Sequence, residues 1–220
     1  YLCVGNHDLE VTYPGCWCDS EATNFQNTFY LPTNSMDGTE RYYSFDHGDA
    51  HLVCLYNPWF VNYVFTATTP QFAWLTNDLA HSTKPWKLLF MHHPLAHSGG
   101  HATYDRDGNG LWDQYDLMNL LLPVAQQYGV QMVFGSHDHN LERFAPTNGL
   151  HHCVSGGGGR KFYNMGTQHV ATAQFYAAFH FIRLDLTNDT MTLQAIGTNG
   201  LVFDAWTVTK ALPPPQLHQA

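Results

Sequence analysis

Apolar residues fall along this chain in two rhythms, and each predicts one kind of element. After Thr69 and Pro70, Phe72, Leu75 and Leu79 repeat at helical spacing to about His81, with the threonine placed to cap the first turn and the proline at its first position. A second helical face runs over residues 115–128 on Leu117, Leu120, Leu121 and Val124, with a bend expected at Pro123. Short runs rich in branched and aromatic residues predict strands at 2–4, 41–45, 51–56, 86–91, 131–134, 151–155, 175–186, 191–196 and 201–209. The second and third of these pair across a Gly48-Asp49 hairpin turn. Residues 9–41 are rich in Pro, Gly, Asn, Ser and Thr and read as a loop that would overhang a site. Residues 1–210 form one domain on this reading, and 211–220, ALPPPQLHQA, form a tail.

Three of the apolar runs stop at polar residues with ligand chemistry. The first ends at Gly5-Asn6-His7-Asp8 and the one at 88–91 ends at His92-His93-Pro94. The run 131–134 ends at Gly135-Ser136, followed by His137-Asp138-His139. Two histidines one residue apart have metal-ligand spacing, because neutral imidazole binds zinc- and iron-type ions and extended backbone can turn both towards one cluster. Ligands bind at the carboxyl ends of strands in open α/β sheets, so the economical reading is one shared site.

GNHD, the apolar run ending in HHP, and HDHN together resemble the last three signature blocks of the calcineurin-like metallophosphoesterases, nearest to the purple acid phosphatases and their bacterial relatives. The likeness extends over almost the whole chain, through FDHGDAHLVCLYN at 45–57 and LVFDAWTVTK at 201–210. It implies an α/β fold, the four-layer α-β-β-α metallophosphoesterase sandwich, with its N-terminal strands missing from this chain. It also implies metal-dependent hydrolysis of phosphate esters, monoesters first, with diesters or nucleotides as a close variant. Two transition metals, iron, zinc or manganese, would clamp the phosphoryl oxygens and lower the pKa of bound water so that hydroxide attacks. By the same resemblance Asn6, His92 and His137 bind one metal and His139 the other. His7 becomes the general acid for the leaving alkoxide, with Asp8 orienting it, and His101 contacts substrate phosphate in preference to His97. His93 is the variable residue of its block and is expected to pack. Ser136 departs from the glycine usual before the first histidine, which would alter the loop. The family's first two blocks, with an aspartate ligand and then a bridging aspartate, have no counterpart upstream of Gly5. The chain is therefore expected to be the C-terminal part of a longer one, with the missing N-terminal segment of the same domain as its partner. The rival reading is a non-catalytic structural or binding protein that keeps the scaffold.

Composition narrows the partners. With 220 residues, 44% hydrophobic and 12% charged, the chain can bury a core, and no apolar run approaches membrane-spanning length. A net charge of -9 with nine Lys and Arg leaves no electrostatic footprint for nucleic acid, so a small phosphorylated substrate would be held by metal. Gly156 to Gly159 lack the Lys-Ser/Thr of a phosphate-binding loop, and no nucleophile elbow occurs. Leu141 and Glu142 stand where a metallo-β-lactamase pattern needs Asp and His.

Two features stand apart from the resemblance. Asp105, Asp107, Asn109, Leu111, Asp113 and Asp116 follow the spacing of a calcium loop, with Gly110 at the turn position, and a bound calcium would stiffen the segment after His101. Cys16 and Cys18 are too close to pair with each other, though either could reach Cys3, Cys54 or Cys153, and the odd cysteine could be free. The calcium-type loop, few lysines and many aromatics point to an exported protein, secreted or periplasmic.

Overall fold

Two sheets face each other, and the helices lie on the outer side of the larger one. The computed structural model describes residues 1–9, 21–58, 65–101 and 113–210, without the side chain of Asp113. The larger sheet orders its strands as β1 (Tyr43–His47), β2 (Ala50–Cys54), β3 (Trp86–Phe90), β4 (Met132–Gly135), β6 (His151–Ser155), β5 (Leu141–Phe144) and β7 (Thr172–Tyr176). Its centre, β2, β3, β4 and β6, is parallel, and both flanks are antiparallel. The smaller sheet is antiparallel, ordered β10 (Val202–Thr209), β9 (Thr190–Gly197) and β8 (His180–Leu186).

Parallel neighbours need crossovers, and the two long helices supply them. The helix α2 (Pro70–His81) leads from β2 to β3, and α3 (Asp113–Tyr128) leads from β3 to β4. Thr69 caps α2 by accepting from the Phe72 amide, as its sequence position predicts. Leu75 and Leu79 of α2 and Leu117, Leu121 and Val124 of α3 meet Val53, Leu89 and Val133 in one core cluster. Each fully buried leucine there contributes about 2 kcal/mol. The opposite face of the sheet, with Trp86, Leu88, Met132 and Phe134, packs on Met191, Leu193 and Val208 of the smaller sheet. Burial on both faces explains why β4 is buried at all four positions and reads as a continuous apolar run. Among the described residues no helix covers the outer face of the smaller sheet, so three layers of the expected sandwich are formed here.

Several expectations need correction. Residues 2–4 form no strand; they lead into a 3-10 turn at Asn6–Leu9 and join no backbone ladder among the described residues. The loop-like stretch 9–41 contains a short helix, α1 (Thr23–Thr28), anchored by buried Phe25. The single strand expected at 175–186 is two, β7 and β8, in different sheets; the chain changes sheets after Tyr176, where the His180 amide donates to the Gly157 carbonyl. The strand β5 was not anticipated, because Glu142 and Arg143 interrupt its apolar pattern, yet both are satisfied internally. Arg143 joins the sheets through a two-pronged ion pair to Asp204 of β10, at 2.8 and 3.0 Å. The candidate calcium residues Asp105, Asp107, Asn109 and Leu111, the side chain of Asp113, and the tail at 211–220 lie outside the described residues, while Asp116 sits in α3.

Candidate metal centre

The ends of β3 and β4 stay side by side beyond the sheet. The Met91 amide donates to the Phe134 carbonyl at 3.0 Å and the Ser136 amide to the His92 carbonyl at 2.9 Å, which brings His92 and His137 to one edge. His92 is fixed from behind by Asn57, whose Oδ1 accepts from the His92 and His93 amides at 2.8 and 3.2 Å and whose Nδ2 donates to the His93 carbonyl at 2.9 Å. His137 takes the left-handed backbone, φ 63°, a region where histidine is among the better tolerated side chains. Ser136 is not among the residues with positive φ, so the departure from glycine at that position brings no strain there.

Asn6 enters from the 3-10 turn. Asp8 closes that turn, its Oδ2 accepting from the Gly5 amide at 2.8 Å, so that Asn6 is buried while His7 is exposed. The outcome is a three-atom convergence: Asn6 Oδ1 lies 2.7 Å and His137 Nδ1 3.1 Å from His92 Nε2. Burial, with His7 and His139 nearby, pushes His92 down to about 4; burial, with His92 and His101, pushes His137 down to about 2. Both rings are therefore neutral near pH 7 and hold lone pairs. A carboxamide oxygen and two neutral imidazoles form a donor set suited to zinc, iron or manganese, so the residues present fit a transition metal.

The remaining expected residues surround this group. The ligand atoms of His92, His93 and His137 all lie within 4.8 Å of one another, so His93, expected only to pack, also belongs to the cluster; its Nε2 donates to the Pro58 carbonyl at 2.9 Å. His139 stands just outside, donating from Nδ1 to the Lys161 carbonyl at 2.9 Å and stacked on Tyr163 at 4.5 Å. That bond puts the proton on Nδ1 and the lone pair on Nε2. The His101 ring lies 4.7 Å from that of His137, with its Nδ1 3.0 Å from Asp138 Oδ1.

A model of the calcineurin-like phosphoesterase family matches residues 1–141, the stretch that carries Asn6, His92, His137 and His139. The chain belongs to the calcineurin-like phosphoesterases. It is 28% identical to mouse acid phosphatase type 7 over 160 residues, covering 66% of this chain and 32% of that protein. It is 30% identical to purple acid phosphatase 23 of Arabidopsis thaliana over 144 residues, covering 63% of this chain and 28% of the relative. This phosphoesterase chain thus spans about a third of the length of these relatives. A purple acid phosphatase from yellow lupin seeds, 21% identical, shares its fold at a TM-score of 0.75 over 94% of this chain and 40% of that one.

This calcineurin-like phosphoesterase has supports that the sequence pattern did not single out. Asp138, wholly buried, accepts from His97 Nδ1 at 2.7 Å as well as from His101. Burial alone would raise its pKa, but the bonds from His101 and His97 hold the carboxyl well below the usual range. Glycine is required on both sides of it: a Cβ at Gly99 would stand 1.9 Å from Asp138 Oδ2, and one at Gly156 2.0 Å from its carbonyl. Glu142, also buried, accepts from the Ser98 amide at 2.8 Å, from Thr172 Oγ1 at 2.7 Å and from Ser98 Oγ. The segment 97–101 therefore hangs on two acids from the stretch HDHNLE. Asp138 could have been found by its place between two ligand-type histidines; Asn57, Glu142 and Tyr163 leave no comparable mark.

Proposed function

We propose that this chain carries one half of a two-metal centre that hydrolyses phosphate esters, monoesters first. The convergence of Asn6 Oδ1, His92 Nε2 and His137 Nδ1 carries the reading, with the family membership behind it. His139 serves the second ion. Bound transition metals at such a centre supply Lewis-acid polarisation of the phosphoryl group and a water of lowered pKa. The protein's part is to bind and to move protons. His101, held through Nδ1–H on Asp138, donates from Nε2 to a phosphoryl oxygen in its doubly protonated form, and His7, which is exposed, gives its proton to the leaving alkoxide.

The second ion needs ligands beyond His139, and the reading assigns them to a segment of the same domain outside this sequence. Support comes from a cleft of about 1090 Å³ between the sheets, lined by Leu52, Leu88, Phe90, Phe134, Ile182 and Leu184, beside β8, which among the described residues pairs with β9 alone. That apolar cleft suits an added strand. Export from the cytoplasm belongs to the same reading, supported by the low lysine content, and is checked by cell fractionation. Among the described residues no helix is long and apolar enough to cross a membrane.

The deciding experiment is metal content by elemental mass spectrometry after dialysis against zinc, manganese or iron, beside hydrolysis of a nitrophenyl monoester and diester. Retained metal that falls in H92A and H137A, with faster monoester than diester cleavage, supports the proposal. No retained metal and no hydrolysis would replace it with the non-catalytic scaffold.

A further inference from the structure

Cys3 and Cys54 lie far apart in sequence, but both line the same cleft, and Leu2, the residue before Cys3, is bonded to Tyr43, the register partner of Cys54; both cysteines are free in this structure. The segment around Cys3 is held against that strand pair. The Tyr43 hydroxyl accepts from the Leu2 amide and donates to the Leu2 carbonyl, both at 2.8 Å, and Tyr43 stands opposite Cys54 in the β1–β2 ladder. The Tyr1 ring stacks on Phe45 at 3.6 Å, against the same strand. Both cysteines line the cleft between the sheets; Cys3 is half-buried, where a small oxidant can reach it, whereas Cys54 is buried.

We propose that Cys3 and Cys54 form a reversible disulfide that staples the Asn6 turn to the strands carrying His92. Cys3 lies three residues before Asn6; Cys54 pairs in register with Phe90, two residues before His92. The bond would tie two members of the metal cluster together through covalent structure. The oxidant is a low-molecular-weight disulfide such as glutathione disulfide. Cys3 attacks one of its sulfurs, forming a mixed disulfide and releasing one glutathione. The Cys54 thiolate then attacks Cys3 Sγ and expels the second glutathione as a thiolate, which takes up the Cys54 proton. Two protein thiols are oxidised and one external disulfide is reduced to two thiols. Cys153 is the internal control, because it is buried and burial pushes its thiol far up.

The full chain is incubated with glutathione disulfide, denatured in alkylating agent, digested and mapped by mass spectrometry. The expected product has lost two hydrogens, carries a Cys3–Cys54 linked peptide and leaves Cys153 alkylated. Its thermal midpoint rises by about 5 °C or more and returns on adding dithiothreitol. In C54S the resolving thiol is gone, so Cys3 should keep one glutathione. Alkylation of both Cys3 and Cys54, a link from Cys3 to Cys16 or Cys18, or a stable glutathione adduct on the wild-type chain would each overturn the proposal. The mapping on unaltered protein needs no variant to fold.

Discussion

Two residues carry consequences out of proportion to their size. Asp138 accepts from two imidazole N–H groups at once, which an amide cannot do, because its nitrogen would face one donor with another. D138N should therefore release either His97 or His101 and lower phosphate ester hydrolysis about 10- to 100-fold, with circular dichroism unchanged. Equal activity in D138N would show that His101 does not depend on this carboxylate. His152 offers a test that does not involve the metal. Burial pushes it down to about 3 from the ordinary 6.5, so the native ring stays neutral while the unfolded ring takes a proton. The unfolded state then binds more protons below pH 6.5, and stability falls as pH drops from there towards 3. By pH 5 the loss is about 2 kcal/mol. Urea midpoints at pH 7.5 and 5 should differ less in H152F, which keeps the stack on Phe144, than in the parent chain. The candidate metal-site residues were readable in the sequence because each follows an apolar run; the groups behind them were not, since Asn57 and Glu142 differ from surface Asn and Glu only through tertiary contacts.

At the scale of elements, the helices and the parallel core were legible and the edges were not. Helical spacing with a Thr-Pro start identifies α2 within a residue or so, because cap and apolar face agree. By contrast β5 buries a glutamate and pairs an arginine across the sheets, and its pattern looks polar until those partners are known. The split of β7 from β8 was hidden for a related reason, since Ala177-Ala178-Phe179 carries no strong turn residue. The Arg143–Asp204 pair is the element-scale prediction. D204N leaves a largely buried guanidinium with a weaker partner and should destabilise the chain by about 2 kcal/mol in urea unfolding. R143M should cost at least as much as D204N, because it strips the more buried Asp204 carboxylate of its guanidinium, even though methionine can keep packing on Trp206, whose ring Arg143 overlies at 5.4 Å. G99A is expected to be worse than either for the site, because its methyl group would occupy the space of the Asp138 carboxylate.

For the whole molecule, the open cleft is the dominant fact. Ile182, Leu184 and Leu186 face inward from β8 and are only partly buried, while Phe181 on the same strand is 59% exposed. Arg183 and Asp185 alternate with them on the outer face, and such charges discourage edge-to-edge association. The chain alone should bind an apolar fluorescent dye in the folded state, and substituting Leu184 by Arg should reduce that signal; no dye binding below the unfolding transition would mean that the cleft closes on itself.

The centre is also mechanically lopsided. His137 belongs to a stretch that packs against two glycines and is bonded to the segment 97–101 through its buried acids Asp138 and Glu142, whereas Asn6 rides on a four-residue turn closed by Asp8 and anchored by the buried side chains of Val4 and Leu9. It resembles a vice with one fixed jaw and one travelling jaw. If ions of different radius bind there, the histidine side should keep its coordinates and the asparagine side should give way. The stiffness that selects among metals is set, on this view, by how firmly the first few residues of the chain are fastened down.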